Sequence, residues 1–79
     1  MTQQEEMKTI LVAYLKRKST KYFTRQGLME DKVFWEGFLQ MTESNTPEQR
    51  LSRNLQHLRD EFSCVEFLGY GKYLYTQSL

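Results

Sequence analysis

Apolar positions along the chain follow a helical period for most of its length and then switch to alternation. Met7, Ile10, Leu11, Tyr14 and Leu15 recur so as to share one face of a helix. The pattern predicts a helix over 3–18, with Thr2 as its cap and Glu5 and Glu6 in its first turn. Lys16, Arg17 and Lys18 close it on the side the helix dipole favours. Ser19-Thr20 interrupts the period, and Lys21 to Thr24 is short and β-prone. Thr24 is the expected cap of a second helix over about 25–40. Its Leu28, Met29, Val33, Phe34, Trp35, Phe38 and Leu39 make a stripe wide enough to pack on two sides. Gly27 and Gly37 weaken that helix by about 1 kcal/mol each relative to alanine. A break near Glu30-Asp31 is the alternative, with Asp31 capping the shorter piece.

The strongest helix start lies at Thr46. Pro47 follows at the first helical position, and Gln49 completes a T-x-x-Q capping box. Leu51, Leu55, Leu58 and Phe62 then form a narrow seam on a third helix, over 47–62. After Ser63 the period becomes two: Val65 and Phe67 share one face, and Cys64, Glu66 and Leu68 the other. Gly69-Tyr70-Gly71 supplies residues able to turn a hairpin, and Lys72 to Tyr75 returns as its second strand. The prediction is one α+β domain of three helices, with an antiparallel hairpin over about 64–76 that pairs with the strand at Lys21–Thr24.

The outer side of helix 47–62 carries Gln49, Arg50, Arg53, Asn54, Gln56 and His57. Exposed polar faces are common, but this one lacks Lys and Glu, their usual fillers, until Asp60 and Glu61. Arg, Asn and Gln are the side chains whose forked donors and acceptors match base edges in the major groove. Placed on a helix that follows a turn, they are how helix-turn-helix proteins read duplex DNA. The candidate contacts are Gln49, Arg50, Arg53, Asn54 and His57, with Tyr70 and Lys72 reaching backbone or minor groove from the hairpin tip. The cluster Lys16-Arg17-Lys18 reads first as helix-terminus charge and second as a phosphate contact. Trp35 reads as a core residue, Cys64 as a small hydrophobe beside the sheet, and Tyr70 as exposed.

Composition narrows the classes further. At 79 residues, with 39% apolar and 14% aromatic content, the chain suits one small folded domain rather than a disordered tail. One cysteine and one histidine offer neither a disulfide nor a zinc site, so no metal or other cofactor is expected. The start of the chain does not resemble a signal peptide, and no apolar run is long enough to span a bilayer. A cytoplasmic or nucleoid-associated protein is therefore expected. A phosphate-binding glycine loop, a nucleophile elbow and a second histidine are all missing, so an enzyme is not expected. A net charge of +1 leaves the question of nucleic acid to the local distribution of charge.

The runs FTRQGL (23–28) and RLSRNLQHLRDEFSCVEFLGYGKY (50–73) resemble the C-terminal winged-helix domain of methyl-directed restriction endonucleases of the Dam-replacing type. The matching residues are Arg53, Leu55, Gln56, Leu58, Arg59, Asp60, Val65, Glu66, Phe67, Leu68, Gly69, Gly71 and Tyr73. The resemblance implies a winged helix-turn-helix fold and duplex DNA as ligand. Phe62-Ser63-Cys64 stands where that family has a glycine after the third helix, and Tyr70 where its wing tip is commonly basic. These residues contain no counterpart of the family's nuclease domain, so recognition of methylated adenine is not carried over. The expected function is a small DNA-binding regulator, or an accessory factor of a phage or mobile element, acting as a homodimer or on adjacent sites. The competing expectation is an interaction module whose exposed face holds a partner protein instead of DNA.

Overall fold

The computed structural model describes residues 3–79; the expected cap at Thr2 lies outside them. The elements run α1 (Gln3–Lys18), β1 (Tyr22–Thr24), α2 (Arg25–Glu30), α3 (Lys32–Thr42), α4 (Pro47–Asp60), β2 (Val65–Gly69) and β3 (Lys72–Tyr75). The described residues thus make an α+β fold, with four helices where three were expected. The single helix predicted over 25–40 is two, and the predicted helix over 47–62 stops at Asp60.

Asp31 makes the break. Its extended backbone (φ −77°, ψ 112°) ends α2, and its Oδ1 accepts the Phe34 N–H at 2.8 Å to cap α3. The same carboxylate takes Arg17 at 2.7 Å and Lys18 at 3.5 Å, although only 12% of its side chain meets solvent. The basic end of α1 is therefore tied to the α2–α3 joint. The Phe34 N–H, followed by the Arg17 hydrogen bond, holds the Asp31 carboxyl below the usual carboxylate range. A depressed folded-state value stabilises the fold above the unfolded pKa of about 3.9, and that contribution disappears as pH falls through the folded value. Asp31→Ala should cost about 1–2 kcal/mol at neutral pH, within the range for a lost helix cap. Asp31→Asn keeps a capping oxygen and should cost less. Denaturant titrations from pH 7 down to about pH 3 check this: the gap between wild type and Asp31→Asn must narrow as the pH falls, and a constant gap would remove the carboxylate from the account.

The break also reorients the apolar stripe. α3 buries Phe34 and Phe38 and leaves Val33 and Leu39 exposed, while Trp35 is half-buried and stacks on Phe38 at 5.4 Å. Thr24 caps α2 as expected, its Oγ1 accepting the Gly27 N–H at 2.9 Å. A Cβ at residue 27 would lie 2.9 Å from that same oxygen, so the glycine makes room for the cap.

The three strands form an antiparallel sheet in the order β1-β3-β2. The expected pairing of 21–24 with the hairpin is present: Phe23 faces Tyr73 and Phe67 faces Tyr73 from the other side. Those three rings pack at centroid separations of 5.3 and 4.9 Å on the inner face of the sheet. Val65 and Tyr75 pair behind them, both buried. Cys64 does not share the outward face with Glu66 and Leu68. It precedes the strand and is buried, its backbone N–H donating to Leu58 O at 3.1 Å. Ser63 adopts φ +53° at this joint, the left-handed conformation that a glycine would take without strain. The core joins Met7, Leu11 and Leu15 of α1, Phe34 and Phe38 of α3, and Leu51, Leu55 and Leu58 of α4 with the inner face of the sheet.

Candidate nucleic-acid interface

Helix α4 begins at Pro47, but the expected capping box does not form. Thr46 makes no side-chain bond to the first turn, and its own N–H donates to Ser44 Oγ at 3.0 Å. Ser44 and Thr46 thus satisfy one another outside the helix, and the first-turn N–H groups of α4 have no side-chain acceptor among the described residues. Thr46, Gln49, Arg50 and Arg53 line a shallow, predominantly polar cavity of about 200 Å³ beside this end.

The seam of Leu51, Leu55 and Leu58 fixes the rotation of α4. Geometry at 100° per residue then sorts the remaining side chains into a crest and two flanks. Gln49, Arg53 and Gln56 stand on the crest, opposite the seam, and all three are exposed. Glu48, Ser52 and Arg59 occupy the flank that meets the sheet: the Arg59 guanidinium lies 4.3 Å from the Phe67 ring of β2. Arg50, Asn54 and His57 occupy the other flank, and here two expectations change.

Asn54 does not face solvent. It is 2% exposed, and its Nδ2 donates to Arg50 O, one turn back, at 3.0 Å. The buried side of α4 is broader than the seam of Leu51, Leu55 and Leu58, and Asn54 falls inside it. His57 is half-buried and its Nδ1 lies 3.0 Å from Oε1 of Glu61, the residue that ends α4, so its ring is engaged at the end of its own helix. Arg50 and Arg53, in contrast, have no ion pair or side-chain hydrogen bond among the described residues. Lys72, the first residue of β3, is likewise exposed and unpaired among them.

Charge declines along the crest. Arg59 Nε donates to Asp60 Oδ1 at 2.8 Å, and this bond holds the Asp60 carboxyl below its ordinary range. Asp60 and Glu61 therefore place negative charge at the C-terminal end of α4. An anion would meet the N-terminal half, where Arg50 and Arg53 stand, with Glu48 the one opposing charge there.

At the hairpin tip, Gly69, Tyr70 and Gly71 have φ of +96°, +53° and +74°, and Tyr70 is 104% exposed. The two glycines take these angles freely, whereas a tyrosine does not. One residue outside the predicted set joins tip to helix. The Arg25 N–H donates to Gly71 O at 3.0 Å, while its Nε and Nη2 donate to Ser52 Oγ at 3.0 Å and Glu48 O at 3.2 Å. Arg25 therefore fastens the hairpin turn to the Glu48–Ser52 flank of α4. No sequence spacing connects position 25 to 48 and 52; only the basic residue directly after the Thr24 cap was visible.

No helix among the described residues is long and apolar enough to cross a membrane. None of their His, Cys, Asp and Glu side chains form a group of three or more suited to a metal ion. Comparison with protein-family models, with curated proteins and with solved structures found no match.

Proposed function

We propose that the chain is a winged-helix protein that binds duplex DNA, with α4 in the major groove and the β2–β3 hairpin as the wing. The element order and the β1-β3-β2 sheet support the fold assignment, with α3 as an additional helix before the reading helix. One observation carries the functional reading. Arg53, Gln49 and Gln56 stand free on the exposed crest of α4 with Arg50 free beside them, while Arg25 and Arg59 are engaged with Ser52 and the Phe67 ring. Free forked donors on an exposed helix match base edges and phosphates, and the uncapped first turn of α4 suits a backbone phosphate.

The wing contributes Lys72 as a cation and Tyr70 as an exposed ring. A fully exposed tyrosine in a left-handed conformation gains no burial from folding, so its use lies in an encounter. That same feature favours the second reading, a protein-binding module, because tyrosine and arginine are also hot-spot residues of protein interfaces. Tyr22 and Leu68, both exposed on the sheet, add apolar surface to it.

Salt separates the two. Binding of the chain to a mixed-sequence duplex, followed by fluorescence anisotropy, should weaken linearly in log–log form as salt rises. With Arg50, Arg53 and Lys72 on phosphates, the slope should be about −3. Absence of binding at about 50 mM salt, where phosphate contacts are strong, rejects the DNA reading. A slope near zero with intact binding rejects the phosphate contacts.

A further inference from the structure

We infer that Arg25 is the positioning residue of this interface: it sets the placement of the wing relative to α4, and so decides whether both engage one duplex. The inference rests on the DNA-binding reading above. Its basis is a set of three hydrogen bonds on one residue that reach two different elements. The backbone N–H of Arg25 donates to Gly71 O in the wing turn. The guanidinium donates to Ser52 Oγ and Glu48 O on the flank of α4. Ser52 Oγ in turn donates to Glu48 O at 3.4 Å, so the two acceptors are held together one helical turn apart.

The arrangement requires a fork. Nε and Nη2 project from one planar group to two acceptors on adjacent turns, which a single ammonium cannot reproduce. Arg25 is half-buried between the elements and close to the beginning of the reading crest. Farther along the same flank, Arg59 sits over Phe67 of β2. Two arginines thus brace α4, Arg59 against the sheet and Arg25 from the start of α2, and of the two only Arg25 also fastens the hairpin turn. Loosening it leaves the crest and wing intact individually but frees their mutual orientation, on which simultaneous contact with a duplex depends.

Arg25→Lys tests this, because it keeps the charge and removes the fork. Arg25→Lys and Arg25→Ala should both bind a mixed-sequence duplex about tenfold more weakly than wild type, at a temperature where circular dichroism shows each fully folded. Lys72→Ala supplies the decisive comparison. If Arg25 acts by placing the wing, its replacement in a Lys72→Ala background should weaken binding much less than in the wild type, giving a non-additive double-mutant cycle. Ser52→Ala, which removes one acceptor on α4, should produce part of the Arg25→Lys loss. Full affinity in Arg25→Lys, or additive effects of Arg25 and Lys72, would overturn the positioning role and leave DNA binding standing. Failure of the wild type to bind at low salt would instead overturn the DNA reading, and the inference with it.

Discussion

Phe38→Ala is expected to remove about 3–5 kcal/mol of stability, the largest effect of any single substitution considered. Phe38 is fully buried and lies between two other rings, Phe34 at 6.1 Å and Trp35 at 5.4 Å. Truncation removes transfer energy, leaves a ring-sized cavity and strips both neighbours of a stacking partner. A domain of 79 residues has a total stability of only about 4–12 kcal/mol. The variant should therefore be largely unfolded near 37 °C or melt many degrees lower. Val33→Ala, on the same helix, should change stability by less than about 0.5 kcal/mol, because Val33 is 67% exposed. Chemical denaturation of both variants measures the contrast, and similar losses at the two positions would refute the placement of α3.

That contrast also marks what sequence patterning can resolve. Val33, Phe34 and Phe38 all belong to one apolar stripe when residues 25–40 are read as a single helix. The break at Asp31 resets the rotation of the second half, so the stripe divides into buried and exposed members. Asp31 was visible as a possible cap, since its side chain suits that position. What hydropathy alone did not contain was the reason the break is chosen: Arg17 and Lys18 of α1 converge on the same carboxylate. That is a long-range contact, and it selects between two locally acceptable helices. Local chemistry sufficed elsewhere. The change from helical to alternating period located the hairpin, and the two glycines around Tyr70 located its turn.

The candidate site was legible in part for a similar reason. Arg50, Arg53, Lys72 and Tyr70 are exposed as their positions suggested. Asn54 was misplaced because an amide is polar whether or not it faces water. Its burial follows from the leucines at 51, 55 and 58 and from the carbonyl it bonds one turn back. The T-x-x-Q box at Thr46 failed because Ser44, two residues earlier, offers the Thr46 N–H a nearer acceptor. Arg25 was missed altogether, as its partners lie more than twenty residues away in sequence.

Simultaneous replacement of Arg50 and Arg53 by glutamate should abolish DNA binding without loss of fold. Both side chains are exposed and unpartnered among the described residues, so their removal breaks no internal contact and should cost less than about 0.5 kcal/mol of stability. Loss of a base-reading or phosphate-contacting arginine costs about 1–3 kcal/mol in binding, and reversed charge adds repulsion to that loss. The pair should therefore weaken binding on the order of a thousandfold or more. The single variants carry the geometric information. Arg53 stands on the crest and Arg50 on the flank away from the wing, so Arg53→Glu should be the more damaging. Each single variant should also lower the salt slope by about 0.9 if its arginine contacts a phosphate. Unchanged affinity in the double variant would remove α4 from the interface. A larger effect at Arg50 would mean that the duplex approaches from the flank opposite the wing, and the wing would then have no part in binding.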